Sequence, residues 1–438
     1  MIINEHKQKY LNKEVFKYIS AIQVTTFNST LTSHNGSISE RKIQNFTPFE
    51  SEEVIISEKL GQTVVSKSFN LTKEGTSYHI TSSDYPNYLN FLNQIYKDKK
   101  ISDLISFSFL EKIVFKFIIN TKRNNQASED LCNYILDEIN NSVKEFEVHF
   151  KILYLDIESN FKLGNVNFEY VGENYFQGNR EQEYYEDFRG NVLVSTLVKA
   201  EKQKAQEIAF EKCSLAVDCL KLFFDIIIFP EERLSFDIDS RTKESDENEV
   251  IFFENSDRSK ISINNFRIPT HQNINKQQFD IFEKRGISKF NLFLKQIDEK
   301  ENLTELDLTI VNSIKLFAKA LYQNNLNQRV VELFTQLESL VLSDSNEPIL
   351  NSLTKYISKL VTKNVEERKF IITLLKEMYG IRSSYVHHAK QREINIQNLS
   401  KFQYYIHNLI TILIELSTSH ITKDTILKEI DDAILASY

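Results

Sequence analysis

The sequence predicts an α+β protein in which a mixed, strand-containing N-terminal portion is followed by an all-α helical bundle. Before residue 190, segments rich in Val, Ile, Phe and Tyr alternate with turn residues, which is typical of short strands. From about residue 306, apolar residues recur three and four positions apart, which is the spacing of amphipathic helices. Glycine follows the same division, because seven of the nine glycines lie before residue 191.

Residues 1–190 are interpreted as an α+β domain, with a helix predicted over Asp130–Ile139. The aromatic and charged segment Tyr170–Gly190 fits either a binding loop or an ordered surface loop. Five segments have the composition of strands: Glu53–Ile56, Thr63–Phe69, Ser77–Thr81, Ile113–Ile119 and Glu145–Ile157.

Residues 191–305 are interpreted as a connecting region of one helix and short strands. The helix is predicted over 199–224, and Pro230 follows it, a residue that cannot continue a helix. Short strands are expected over Leu234–Ile238 and Val250–Phe253.

Residues 306–438 are predicted to form a bundle of at least five helices with short polar connections. Gly380 is predicted to end the fourth helix, because glycine is common just after helix C-termini. The apolar positions that mark the five helices run from Ile310 to Leu321, Val330 to Leu340, Leu353 to Leu360, Ile371 to Met378 and Phe402 to Leu416.

The net charge of −8 disfavours a protein that coats nucleic acid broadly and nonspecifically. The predicted bundle is nearly neutral, with 15 Lys and Arg against 14 Asp and Glu. A local basic groove around Arg382, Lys390 and Arg392 is therefore still expected.

The cysteine content and hydropathy pattern predict a cytoplasmic protein. Cys132, Cys213 and Cys219 are too few and too scattered for a disulfide framework, which fits a reducing compartment. The N-terminus turns polar at once, so no secretory signal is expected. No apolar stretch reaches the length of a membrane span, so no membrane partner is expected.

The segment Met378–His388 contains the residues with the strongest chemical potential in the chain. Arg382 is a permanent cation that can hold a phosphate, and His387 is a proton carrier at neutral pH. Each has a structural alternative, in which Arg382 pairs with the carboxylate of Glu338 and His387 is a hydrogen-bonded core histidine.

The order Tyr379, Arg382, Ser383, Val386, His387 resembles the Tyr-x-x-Arg-Ser-x-x-Val-His motif of the HEPN superfamily, in its Apea-like branch. The preceding segment Leu337–Leu340 reads Leu-Glu-Ser-Leu, which is similar to a helix that carries the supporting Glu in that family. The resemblance covers about residues 306–438. It departs from the family at the position after the motif His, where a small residue is frequent and His388 stands here.

This resemblance implies a metal-independent endoribonuclease that cleaves RNA by 2′-OH transesterification, with Arg382 and His387 as catalytic residues. It implies that Glu338 supports Arg382. Ser383 lies four residues before His387, so its hydroxyl is expected to orient the imidazole. His388, which departs from the family's pattern, is expected to be secondary, either solvated or in contact with phosphate. The resemblance also implies a regulated toxin of anti-phage defence, whose N-terminal region responds to a phage or cellular trigger. No metal or cofactor is expected, because the chain has none of the usual phosphate-loop, dinucleotide or zinc motifs.

A second interpretation is a non-catalytic HEPN module that binds RNA, nucleotide or a partner protein, and a third is a purely structural dimerisation protein. Geometry bears on the choice, because five residues on a straight helix leave Arg382 and His387 about 140° apart. Two arrangements would bring both groups to one phosphate. Either a break at Gly380 repositions Arg382, or a homodimer places the Arg382 and His387 of both protomers at a shared interface. The resemblance implies the homodimer.

Overall fold

The computed structural model describes residues 5–26, 52–59, 62–70, 76–81, 83–124, 130–173, 175, 187–232, 234–241, 249–253, 261–265, 271–342 and 348–436. Sheets in the N-terminal half and helices in the C-terminal half confirm the predicted α+β class. The chain forms two compact units: the first unit comprises residues 1–146 and 198–208, and the second unit comprises residues 147–197 and 209–438.

In the first unit, a four-stranded antiparallel sheet in the order β1-β4-β3-β2 accompanies a cluster of helices. The strands are β1 (Gln23–Thr26), β2 (Glu52–Lys59), β3 (Gln62–Asn70) and β4 (Thr76–His79). The helices are α1 (Glu5–Ala21), α2 (Tyr85–Tyr96), α3 (Lys99–Ser102), α4 (Phe107–Asn124) and α5 (Leu131–Ser142).

Most sequence predictions for this unit are confirmed, including the helix from Asp130, whose side chain caps α5 by accepting from the backbone N–H groups of Cys132 and Asn133. The strand predicted over Ile113–Ile119 is wrong, because these residues lie inside α4. Six of the seven are buried, so this part of α4 has almost no polar face. A helix of that kind lacks the 3.6-residue periodicity and resembles a buried strand.

In the second unit, the order of the five-stranded sheet is β10-β5-β9-β8-β7, and two further strand pairs lie outside it. The predicted strand over Glu145–Ile157 is confirmed as two strands. The strands are β5 (Lys144–Leu153), β6 (Leu155–Ile157), β7 (Phe161–Leu163), β8 (Val166–Tyr170), β9 (Val192–Ala200), β10 (Asp237–Ile238), β11 (Glu249–Phe253), β12 (Ile261–Asn265) and β13 (Gln272–Ile274).

The helix predicted over 199–224 is confirmed as α6 (Lys202–Lys221), and two helices that the sequence did not indicate follow it, α7 (Lys276–Lys284) and α8 (Ile287–Glu299). Of the strand expected over Leu234–Ile238, only the last two residues form a strand, β10. Most of the segment Tyr170–Gly190 lies outside the described residues, so its interpretation stays open.

The predicted bundle is confirmed. Its described residues form six helices: α9 (Glu305–Leu321), α10 (Leu326–Val341), α11 (Ile349–Val361), α12 (Val365–His388), α13 (Ile396–Leu416) and α14 (Lys423–Leu435). From residue 305 to 436, leaving aside 343–347, the described chain contains no strand. Local chemistry fixes the starts of these helices. A Thr304–Asp307 capping box begins α9, and the Asn364 and Asn395 side chains cap α12 and α13.

The bundle is packed together with the sheet and helices that precede it in the second unit. A single hydrophobic cluster includes Phe168 of β8, Phe223, Phe290 of α8 and Phe334 of α10. The buried Gln403 side chain also donates to the backbone carbonyls of the segment that follows α6. Position 306, predicted as a domain boundary, therefore lies inside a continuous core.

Helix α12 does not end at Gly380, so that prediction is wrong. The helix continues to His388 and ends at Ala389, which has a left-handed backbone with φ 48° and an N–H bonded to the carbonyl of Ser384. A glycine inside a helix costs only about 1 kcal/mol relative to alanine. Met378 and Ile381 are buried on both sides of Gly380, and their packing outweighs that cost.

No helix within the described ranges combines the length and the apolarity required to cross a membrane.

Candidate functional site

The C-terminal end of α12 is buried on one face and exposed on the other. Ile381 and Ser384 are buried, whereas Val386, His387 and His388 are exposed. Helix α13 returns antiparallel, and its first turn already reaches Glu377, whose carboxylate accepts from Asn398. About three turns of α12 therefore extend past the start of α13, and the last of them carries the exposed Val386, His387 and His388.

Arg382 lies on the inner side of α12 against α10. Its Nη2 donates to Glu338 Oε1 at 3.3 Å, and the two side chains are only 18% and 22% exposed. Burial raises the pKa of Glu338, and the nearby charge of Arg382 opposes that rise only in part. The Nε of Arg382 is buried and has no hydrogen-bond partner among the described residues.

Aromatic side chains hold Arg382 in this place. Its guanidinium carbon lies 5.5 Å from the centroid of the Tyr379 ring, a cation–π contact. The Tyr379 ring meets Phe334 of α10 edge-on at 5.5 Å, and Phe334 packs on Phe402 at 5.3 Å. The Arg382 guanidinium is therefore supported by Tyr379, which packs in turn against the buried rings of Phe334 and Phe402.

His387 is exposed, which removes the alternative that it is a core histidine. Its ring centroid lies 6.5 Å from that of His388. Neither imidazole has a hydrogen-bond partner within the part of the chain that the structure describes, and Ser383 makes no bond to His387. Both imidazoles are therefore available to a substrate, and the orienting role predicted for Ser383 is not visible in this conformation.

The structure places Arg382, Glu338 and Tyr379 together but leaves His387 apart from them. Because α12 is continuous, Arg382 and His387 stand about 140° apart around its axis. Arg382 faces α10, and His387 faces away from it. A single chain in this conformation does not aim both groups at one phosphate.

Two residues that follow from packing add to the site. Arg392, from the segment after α12, lies over Gly380, where a Cβ would stand 3.6 Å from Arg392 Nη1. The Asn327 amide bonds both the N–H and the carbonyl of Arg392, each at 3.1 Å. Sequence reasoning missed Asn327, because no linear pattern joins residues 65 positions apart.

Among the described residues, no three His, Cys, Asp or Glu side chains converge in a way that could hold a metal ion. Cys132, Cys213 and Cys219 are buried free thiols. Burial raises the pKa of Cys132 and of Cys213 to about 12, so neither is a reactive thiolate at neutral pH. Comparisons with protein-family models, curated proteins and solved structures find no match to this chain.

Proposed function

We propose that this chain is a metal-independent endoribonuclease of HEPN type. The observation that carries the proposal is the end of α12, where a half-buried, aromatically supported Arg382 and an exposed His387 share one helix of a helical bundle. This arrangement supports the resemblance of the motif to the HEPN superfamily. Cytoplasmic location and a role as a regulated anti-phage toxin rest on that resemblance and on composition.

In the proposed reaction, His387 takes the proton of a ribose 2′-OH, and that oxygen attacks the adjacent phosphorus. Arg382 stabilises the charge that develops on the phosphoryl oxygens through charge-assisted hydrogen bonds. His387 returns the proton to the 5′-oxygen as it leaves, and the other product ends in a 2′,3′-cyclic phosphate. DNA lacks the nucleophile and is not a substrate.

The continuity of α12 makes a homodimer part of this proposal. Without a break at Gly380, one protomer does not present both groups to one phosphate. Two copies that join their α12 ends bring an Arg382 and a His387 from each side to a shared seam. The exposed Val386, at 47%, supplies apolar area for such contact. Light scattering should report a dimer, and a monomer at every working concentration would reject the shared site.

The decisive experiment incubates purified full-length protein with a labelled RNA and with DNA of the same sequence, in EDTA. Wild type should cleave only the RNA and leave 2′,3′-cyclic phosphate ends, and His387→Ala should lose at least about 100-fold in rate. His271→Ala, which removes an exposed histidine elsewhere in the second unit, is the matched control. Cleavage that needs magnesium, or that survives in His387→Ala, would reject the proposal.

A second candidate function is a non-catalytic HEPN module that binds RNA, nucleotide or a partner protein. It is favoured by the contact of Arg382 with Glu338 and by the separation of His387 from that pair. The same experiment distinguishes the two, because a binding module retains RNA without cleaving it under any condition.

A further inference from the structure

We propose that Arg392 binds a phosphodiester of the RNA strand that is cleaved at His387. This inference rests on the proposed function and adds a substrate-binding residue to that same site. Four features of Arg392 support it: its position on α12, its fixed backbone, its unpaired charge and the glycine beneath it.

Arg392 lies above the same face of α12 as His387. Its Nη1 stands 3.6 Å from where a Cβ of Gly380 would be. Seven residues separate Gly380 from His387, which brings the two within about 20° of each other around the helix, with a rise of about 10 Å. Helical side chains lean toward the N-terminus, so the imidazole of His387 leans toward the Arg392 guanidinium.

The backbone of Arg392 is fixed before any ligand arrives. The Asn327 Nδ2 donates to its carbonyl, and the Asn327 Oδ1 accepts from its N–H. Asn327 is itself 8% exposed and lies in the first turn of α10, where Asn325 caps the helix. A cation on a fixed backbone loses less conformational freedom on binding than one on a free loop.

The charge of Arg392 is unpaired among the described residues, in contrast to that of Arg382, which contacts Glu338. The segment between α12 and α13 also carries Lys390 and Glu393, both exposed, so its charge remains positive. A planar guanidinium offers two parallel N–H groups that match the non-bridging oxygens of a phosphodiester. Arg392 is therefore an available cation above the His387 face.

Gly380 makes this placement sterically simple. An alanine Cβ here would make an ordinary van der Waals contact with Arg392 Nη1, so only side chains longer than that of alanine are excluded. Without a side chain at this position, the guanidinium of Arg392 can lie close to the backbone of α12. A long side chain at position 380 would occupy that space.

The test measures RNA binding and cleavage by the full-length chain carrying Arg392→Gln. Lys363→Gln is the matched control, because Lys363 is exposed and precedes the opposite end of α12. Binding is followed by fluorescence anisotropy of a labelled single-stranded RNA in the His387→Ala background, over a series of salt concentrations. Cleavage is measured with His387 intact.

Arg392→Gln should weaken RNA binding about tenfold and lower the salt dependence by about 0.7 in log–log slope, the value for one phosphate contact on a single strand. It should raise KM more than it lowers kcat, and Arg392→Lys should restore part of the loss. Lys363→Gln should change neither quantity by more than about twofold.

The outcomes separate this inference from the proposed function. If wild type cleaves RNA and Arg392→Gln matches it in KM and binding, the inference is wrong and the function stands. If both Gln variants weaken binding equally, Arg392 contributes only general charge, and the inference is again wrong. RNA that is bound through Arg392 but never cleaved would support the inference and overturn the nuclease. RNA neither bound nor cleaved would overturn both.

Discussion

Two charged clusters of the second unit differ in how their charges are satisfied. In the first, buried Lys221 contacts Asp237 at 2.6 Å and Asp218 at 3.3 Å, and Arg241 binds Asp218 at 2.8 Å. In the second, Arg382 has one contact of 3.3 Å to its acidic partner, and its Nε has no hydrogen-bond partner among the described residues. Burial raises the pKa of a carboxyl in both clusters, Asp218 in the first and Glu338 in the second, so this property does not distinguish them.

The difference indicates which cluster is structural and which can act on a ligand. Two cations and two carboxylates balance each other in the first cluster, and its acidic side chains are only 4% and 8% exposed. A closed, neutral network of this kind has no group left for a substrate. The Arg382 cluster is open and incompletely bonded, and buried polar groups without partners in native proteins call for an explanation. Under the proposed function, a substrate phosphate would supply one.

The largest expected effect comes from opening the closed cluster with Lys221→Met. This change keeps the length of the side chain but leaves Asp218 and Asp237 buried with only Arg241. We expect the free energy of unfolding to fall by about 3–5 kcal/mol, as when one partner of a buried ion pair is removed. Urea unfolding at pH 7 measures it.

The control is the double variant Lys221→Met with Asp218→Asn, which restores one cation to one carboxylate. It should recover part of the lost stability. RNA cleavage per folded molecule should equal wild type in both variants. A stable Lys221→Met protein that no longer cleaves would assign the closed cluster to function and reverse the comparison.

A second prediction concerns His407, which is buried between Phe223 and Phe290. Burial, with a smaller effect from Arg285, lowers its pKa from 6.5 to about 4. Below pH 6.5, His407 is protonated in the unfolded chain but stays neutral in the folded chain. The free energy of unfolding therefore falls as the pH is lowered to about 4 and then levels off. The loss from this group is about 3 kcal/mol.

His407→Phe should remove that dependence, because phenylalanine fills the same space between the two rings and does not titrate. The measurement is the difference in unfolding free energy between wild type and the variant from pH 7 to pH 4. Carboxylates that titrate in the same interval cancel in that difference. A constant difference across the interval would show that His407 is not held neutral.

The predictable parts of the fold were those encoded locally. Helices α9 to α13 each show an apolar stripe and a polar face, so periodicity alone locates them. The prediction for Ile113–Ile119 was wrong because this part of α4 is buried on nearly all sides and lacks the contrast between an apolar and a polar face. The prediction that α12 ends at Gly380 was wrong because glycine destabilises a helix interior by only about 1 kcal/mol relative to alanine. The packing of Met378 and Ile381 stabilises the helix by more than that.

The candidate site was predictable only where a motif spans it. The motif indicated Arg382 and His387, and the Leu337–Leu340 segment indicated Glu338. The predicted contact between Arg382 and Glu338 is present. The two hydrogen bonds from the Asn327 side chain to the backbone of Arg392 depend on how α10 packs against the segment after α12. That packing is tertiary, and no feature of the linear sequence encodes it.

A third prediction tests whether the open cluster acts through geometry or through charge alone. Arg382→Lys keeps the cation but loses the planar fork, and we expect cleavage to fall about 100-fold, close to the loss in Arg382→Ala. Because the pair with Glu338 is partly exposed, the free energy of unfolding should change by no more than about 1 kcal/mol. Full activity in Arg382→Lys would mean that a point charge suffices.

The smallest effect separates two adjacent histidines at the end of α12. On the helix, His387 stands about 20° from the Gly380 direction and His388 about 80° on the other side, so only His387 shares the face over which Arg392 lies. We therefore expect His388→Ala to reduce cleavage less than about fivefold, through a weak contact with phosphate. Rates of His387→Ala and His388→Ala on one RNA, measured side by side, decide the assignment. If His388→Ala is inactive and His387→Ala is active, then His388 transfers the proton. Arg392 would then not lie on the same helix face as the residue that transfers the proton.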